Sequence, residues 1–440
     1  MTNLKKYQNK KIAIYGMGKT GFSAAKIFKK LKAKVYCWDD SKIVRKKVKK
    51  LNFKISKFWL EQNLIDKIVI SPGININSCK ISNFLKKNFS KIITDLDIFF
   101  ELNHGATIIS ITGTNGKSTT CKIIEKILKT AKYKVKTVGN IGNPILSLKK
   151  FKKRYIFILE VSSYQLEYSK IFRSQHAAIL NISPDHLERH KSMNNYIKVK
   201  SKIFFAQKRG DFSYINYDDK YSKIIKNIIA HKKLKSKLVF IKKIKNTSFL
   251  KKIKNNHFKS GGNIENLSFA YKIVKNFKIN DKVIIKAINK YKGLPHRQEV
   301  VFSKKNLVCI NDSKATSFDA CLQSLLNYQN IYWIVGGLPK YKDRFNLKNL
   351  RKKILRAYII GKNSAFFKRQ ISRHIPYVVS KNIKNAISDI HKDLKLGKKM
   401  KRTILLSPAA ASFDQFSNFE QRGNYFKNLA LKQLNKRVNV

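Results

Sequence analysis

Ten short apolar runs constrain this chain more than any other feature. They are "KIAIYG", "KVYCWD", "KIVISPG", "TIISITG", "YIFILEVS", "AAILNIS", "LVCINDS", "IYWIVGG", "AYIIGK" and "TILLSP". Most close on Gly, Ser, Asp or Pro, and most lead into a helix-like stretch. Strands alternating with helices give parallel α/β sheets. Such sheets gather ligands at the carboxyl ends of their strands, so the polar residues that close the runs are the place to look for chemistry. Two breaks divide the pattern. One lies near "ELNHGAT"; the other is "YKGLPHRQEV", where Gly293 and Pro295 interrupt a helical segment. Three units follow: 1–104, 105–296 and 297–440. The lysine- and asparagine-rich stretch 230–258 reads as a helix or hairpin on the surface of the middle unit, and 215–260 yields no motif.

The first unit reads as a Rossmann-like, dinucleotide-type fold. In "IAIYGMGKTGFSAAKIF", Gly16, Gly18 and Gly21 form a G-x-G-x-x-G between a strand and a helix, and Asp39 and Asp40 close the next strand. A helix start of this kind offers free N–H groups to a diphosphate. NAD and a nucleotide-sugar fit it equally well. "SPGI", Ser71 to Ile74, closes a further strand and is expected to border the same ligand.

The second glycine loop is "SITGTNGKSTT", Ser110 to Thr120. It is strand, loop, helix, but two residues separate Gly113 from Gly116 where the common P-loop has four. The backbone from Gly113 through Thr114, Asn115 and Gly116 would wrap phosphates, Lys117 would meet the outer ones, and Ser118 or Thr119 could hold Mg²⁺. Glu160 closes the strand of "YIFILEVSSYQLE", and Asp185 and His186 follow that of "AAILNISPDHLERH". A carboxylate beside the loop would hold the metal directly or through water. Asn140 and Asn143 in "VGNIGNP" offer neutral donors, or simply form turns.

Lysine itself is weak information here. The chain has 94 Lys and Arg against 25 Asp and Glu, a formal net charge of +69. Such a field attracts polyanions. The lysines, however, run from end to end with no basic tail, in company with Asn, Ile, Phe and Tyr, all of which have AT-rich codons. Compositional bias is the favoured reading, so no specific nucleic-acid partner is expected. The hydrophobic share of 43% is ample for a core. Five widely spaced cysteines without C-x-x-C fit a reducing compartment. No apolar run approaches a membrane span, and the N-terminus carries no apolar leader. The expectation is a cytoplasmic protein without membrane insertion, and a monomer.

Taken together, "TGTNGKST", "GNIG", "LEVSSYQLE", "NISPDHLERH" and "YIKVKSKIF" resemble the Mur ligase family, ATP-dependent amino-acid ligases of peptidoglycan synthesis. The likeness runs essentially from end to end. It implies three α/β domains: an N-terminal Rossmann-like domain for a UDP-linked substrate, a central P-loop ATPase-like parallel sheet for ATP and two Mg²⁺, and a Rossmann-like C-terminal domain. The family also has a lysine carboxylated by CO₂. By spacing alone Lys198, Lys200 and Lys202 are equivalent; the match of Tyr196, Ile203 and Phe204 to the family pattern selects Lys200. Further along, "NIENL" places Asn266 at the adenine, and "GLPHRQE" places Arg297 near the nucleotide.

"SPGI", "DSKATS" and "SPAAASFDQFSNFEQRG" resemble one branch of the family, whose members join D-glutamate to UDP-N-acetylmuramoyl-L-alanine. That likeness implies Thr20 and Gly21 at the diphosphate and Asp39 and Gly73 near uracil, with Asn140 and His186 further along the UDP-substrate. Thr316 and Lys340 would take the α-carboxylate of D-glutamate, and Ser412 and the Phe419 backbone its side-chain carboxylate. Ser118, Glu160, His186 and carbamylated Lys200 would hold the two metal ions. Lys117 would steady the transferring phosphate, and Asp312 and Lys314 would act from the C-terminal domain. Three rivals fit parts of the pattern: a folylpolyglutamate synthase or sister ligase of the same superfamily, a nucleic-acid-binding P-loop protein, and an NAD-dependent dehydrogenase built on the first unit.

Overall fold

The computed structural model describes residues 5–60, 65–103, 105–140, 144–147, 155–259, 261–304, 306–340, 343–396 and 400–435. Asn143 lies outside these described residues. Two compact units emerge, one of residues 1–258 with 263–291, the other of 259–262 with 292–440. The first holds two sheets and the second holds one.

In the first sheet, β1 (Lys11–Tyr15), β2 (Lys34–Trp38), β3 (Lys54–Ile55), β4 (Lys67–Ile70) and β5 (Ile92–Ile93) lie in the order β3-β2-β1-β4-β5, all parallel. The order reverses between β1 and β4, which opens a crevice at their carboxyl ends. The second sheet contains β6 (Thr107–Thr112), β7 (Val135–Gly139), β8 (Ile156–Glu160), β9 (His176–Ile179), β10 (Phe212–Asn216) and β11 (Lys237–Ile241). Its order, β11-β10-β9-β6-β8-β7, is again fully parallel. β6 lies between β9 and β8, so its loop emerges at the switch point. β8 is buried along its whole length, as a strand covered by helices on both faces must be.

The third sheet, in the second unit, comprises β12 (Glu299–Lys304), β13 (Leu307–Asn311), β14 (Ile331–Gly336), β15 (Ile354–Ile360), β16 (Tyr377–Lys381) and β17 (Arg402–Leu406). The order is β12-β13-β17-β14-β15-β16, with only β12 antiparallel.

All ten apolar runs are strands, and the α/β class holds throughout. The stretch 230–258 contains no hairpin. β11 is a parallel edge strand reached from β10 through the helix Ser222–His231, and a short helix, Thr247–Lys251, follows it. An edge strand with one half-exposed face tolerates the lysines that masked its pattern.

Within the first unit the two sheets share one core. Phe99 of the first packs edge-to-face on Phe157 of the second at 5.2 Å. Asp97 fastens the same junction. One carboxylate oxygen accepts from Thr94, capping the helix Asp95–Leu102; the other accepts from the Ser169 hydroxyl and the amides of Lys170, Ile171 and Phe172. This acid is 1% exposed, and its donors offset the cost of burying it.

Candidate active site

At the first crevice, Gly16, Gly18, Lys19 and Thr20 form a wall at the start of the helix Lys19–Lys30. Gly21 is not part of that wall. It lies where a Cβ would come 1.9 Å from the Gly16 carbonyl, so only glycine lets this helix close on the loop. Asp39 lines the crevice too, and its carboxylate accepts from the amides of Met17 at 2.7 Å and Ser41 at 2.9 Å. It therefore shapes the glycine loop as well as facing the cavity. Ser71 donates to the Gly16 carbonyl at 2.6 Å, which joins the "SPGI" loop to the same wall.

The shortened loop after β6 is held from β9. Asn181 accepts from the Asn115 amide at 2.8 Å and donates to the Asn115 carbonyl at 3.3 Å, and its backbone carbonyl accepts from Thr114 at 3.0 Å. Gly116 has φ +80°, in the left-handed region, and Asn266 packs so closely that a Cβ there would meet its Oδ1 at 2.2 Å. Asn266 also accepts from the Thr120 hydroxyl at 3.2 Å. The expected adenine-side asparagine thus lies against the phosphate loop. Thr119, 7% exposed, sits in the first turn of the helix Lys117–Thr130.

Behind the loop, Glu160 is 2% exposed and accepts from Ser118 at 2.6 Å and Asn140 at 3.0 Å. His186, at φ +54°, receives or gives a hydrogen bond with Tyr164 at 3.0 Å and has Asp185 at 3.5 Å. The three candidate lysines separate cleanly. Lys198 is exposed, and Lys202 turns away to the Glu167 carbonyl. Lys200 is buried and donates to Thr112 at 3.3 Å and the Gly113 carbonyl at 2.9 Å. Burial, and then the nearby Lys117 ammonium, push its amine well below the usual lysine range. Among the described residues no three His, Cys, Asp or Glu side chains cluster as a metal site. The oxygen pair of Ser118 and Glu160 nevertheless suits a hard cation such as Mg²⁺.

These elements meet in one cavity of about 700 Å³. It runs from Gly16, Thr20, Asp39 and Gly73 to Gly113, Lys117, Asn140, His186 and Lys200. Asp95 lines it as well; burial raises its carboxyl to about 6, against a hydrogen bond from Gln165 at 2.9 Å.

In the second unit, the loops after β13, β17 and β14 share the carboxyl edge of neighbouring strands. Asp312 accepts from Ser324, from Ser407 at 3.0 Å and from the Gln298 amide at 3.2 Å; burial raises its carboxyl to about 6. Arg297 carries a charge close enough to oppose that rise. The Lys314 ammonium lies 3.8 Å from the centre of the Phe419 ring. Phe419 opens the helix Phe419–Ala430, so its N–H is one of the unpaired donors of a first turn. Thr316 precedes the helix Phe318–Asn327 after β13, Lys340 follows β14, and Ser412 follows β17 and is 2% exposed. Arg422 passed unnoticed in the sequence. It is 1% exposed and ties Ser313 to the Ala410 carbonyl.

Asn181 and Asp97 also escaped sequence reading. Asn181 stood inside a quoted motif at a strand end, a usable signal; Asp97 looks like any helix-start acid. Among the described residues no helix is long and apolar enough to cross a membrane.

Comparison with known proteins agrees with this geometry. The Mur ligase middle domain matches residues 111–290, and the Mur ligase MurD-like N-terminal domain matches residues 10–93. A relative from Rickettsia felis is 35% identical over 96% of this chain and 97% of its own. One from Wolbachia sp. subsp. Brugia malayi is 34% identical over 96% of each chain. The MurF ligase of Thermotoga maritima, solved in complex with ADP, shares the fold at TM-score 0.58 and 15% identity, over 100% of this chain and 98% of that one. The chain belongs to the Mur ligase family. Both full-length relatives bear the name UDP-N-acetylmuramoylalanine--D-glutamate ligase, and that is its branch.

Proposed function

We propose that this chain ligates D-glutamate to UDP-N-acetylmuramoyl-L-alanine, with ATP as phosphoryl donor and an acyl phosphate as intermediate, in the synthesis of peptidoglycan precursors. One observation carries this reading: the diphosphate-type loop at Gly16–Thr20 and the phosphate loop at Gly113–Lys117 open into a single cavity. A dehydrogenase has no use for the second loop, and a nucleic-acid-binding P-loop protein has none for the first.

The residues divide the work by position. Thr20 and the first-turn amides of its helix receive the diphosphate, with Gly21 letting that helix close on the loop, and Asp39 and Gly73 border the uracil end. At the other end, the backbone from Gly113 to Thr119 and the Lys117 ammonium take the ATP phosphates, with Asn266 beside them; Arg297 and Asp312 keep the nucleotide role that the family likeness implies. Lys117 steadies the phosphoryl group as it passes to the alanine carboxylate. The D-glutamate amine then attacks the acyl carbon, and phosphate leaves. Thr316, Lys340, Ser412 and the Phe419 N–H hold the two D-glutamate carboxylates, and Lys314 adds positive charge nearby. This scheme assigns 1–104 to the UDP-substrate, 105–296 to ATP and 297–440 to D-glutamate.

Ser118 and Glu160 would hold one Mg²⁺, and His186 with Lys200 as a carbamate would hold a second. Such ions supply charge neutralisation where two anions must meet. The burial of Lys200 beside Gly113 and its lowered basicity support the carbamate, since only a neutral amine combines with CO₂. Asn140 orients Glu160 through its 3.0 Å hydrogen bond and faces the UDP-substrate.

The test is an omission assay. Phosphate release should require ATP, Mg²⁺, UDP-N-acetylmuramoyl-L-alanine and D-glutamate together. No release, or equal release with L-lysine or with folate substrates, would refute the assignment.

A further inference from the structure

Arg189 has no part in the scheme above, yet it joins two walls of the cavity. It sits three residues beyond His186, and its side chain is 7% exposed. Its guanidinium donates to the Gly73 carbonyl at 3.3 Å and the Ile74 carbonyl at 2.6 Å, both on the "SPGI" loop of the first sheet. From the second-sheet side, Glu167 accepts from its Nε at 2.8 Å and from Nη2 at 2.7 Å. Nη2 also reaches the Tyr168 hydroxyl at 3.3 Å, which in turn accepts from the Ile76 amide at 3.1 Å. The guanidinium lies 5.2 Å from the centre of the Tyr164 ring, and Tyr164 is the hydrogen-bond partner of His186 Nδ1.

We propose that Arg189 is a positioning residue that couples the nucleoside-diphosphate end of the cavity to His186. The proposal rests on the functional reading above and adds a regulation of the same site. Gly73 and Ile74 line the cavity at one end, and Tyr164 and His186 line it further along. A loop carbonyl that moves when a nucleotide settles changes the demand on the guanidinium. The guanidinium in turn bears on the ring that orients the imidazole. Only a planar fork with several donors can serve two carbonyls and a carboxylate at once; a lysine ammonium cannot span them.

The experiment compares wild type with Arg189→Met, Arg189→Lys and Arg189→Ala. UDP binding is followed by calorimetry, the KM of each substrate and kcat by steady-state kinetics, and Tm by melting. For Arg189→Met the expectation is UDP binding weaker by about tenfold or more, the loss typical of charge-assisted hydrogen bonds. The KM for the UDP-linked substrate should rise and kcat should fall, while the KM for ATP stays put. Arg189→Lys should fall between the two. Ethylguanidinium added to Arg189→Ala should restore part of kcat. Unchanged UDP binding and kcat would overturn the proposal. So would a rise in the KM of ATP in step with that of the UDP substrate and a fall in Tm, which mark a merely structural role. If wild type itself binds no UDP, the functional reading falls and this proposal falls with it.

Discussion

Lys117 and Lys200 direct their amino groups at one atom, the carbonyl oxygen of Gly113, from 2.8 and 2.9 Å. Burial, and then the charge of Lys117 beside it, hold the Lys200 amine well below the usual lysine range, and both side chains line the cavity.

The first prediction concerns that pair. Lys200→Met keeps the bulk and removes the buried amine, so Tm should hold or rise while ligase activity drops by roughly a hundredfold or more. Lys200→Ala leaves space behind. Added formate or acetate should recover part of its activity, because a short carboxylate stands in for a carbamate. Labelled bicarbonate should give a carbamate signal in the ¹³C spectrum of wild type and none in either variant.

Asp312 supplies a pH prediction. Its folded carboxyl titrates at about 6 against an ordinary 3.8, because it is buried. Between these values the folded state binds more protons than the unfolded one, so this group's contribution to stability falls as pH rises through the window. The span corresponds to ~3 kcal/mol at most. Asp312→Asn should raise Tm at pH 7.5 and flatten the pH dependence of stability between 4 and 6, about the window the two values set. The same variant should lose ligase activity. A variant less stable than wild type at pH 7.5 would contradict the assignment.

Two glycines of one motif should behave oppositely. Gly18 has nothing within 4 Å of a built Cβ and faces the cavity, so Gly18→Ala should fold normally and weaken UDP binding. Gly21→Ala forces a methyl against the Gly16 carbonyl and should cost ~1–3 kcal/mol or more of stability. Melting and UDP titration of the pair distinguish the roles.

Asn181→Ala removes the side chain that holds Asn115 from both sides. Releasing those bonds costs ~1–3 kcal/mol, so the KM for ATP should rise by about tenfold while the KM for D-glutamate stays near wild type.

Much of this site was legible because strand ends were legible. Glu160, His186 and Asp312 each close or follow a buried apolar strand, and periodicity locates such strands without any knowledge of the fold. The short strands β3 and β5 and the lysine-dotted β11 gave no such signal, because two-residue strands have no period and an edge strand need not be apolar. What the sequence hid is contact across long separations. Nothing in "LERH" says that Arg189 reaches Gly73, 116 residues away, and nothing in "DLDIFF" says that Asp97 serves four donors at 169–172. Lys200 shows the boundary between the two. Three lysines at alternate positions were equivalent by residue type, and burial of one of them beside Gly113 tells them apart.

The central claim, that a carboxylate is activated as an acyl phosphate and captured by D-glutamate, has a direct test. UDP-N-acetylmuramoyl-L-alanine labelled with ¹⁸O in the alanine carboxylate is turned over with ATP, Mg²⁺ and D-glutamate, and both products are read by mass spectrometry. The account predicts a D-glutamyl amide on the alanine and one labelled oxygen in each phosphate released. Unlabelled phosphate, or phosphate released at the same rate without D-glutamate, would contradict it.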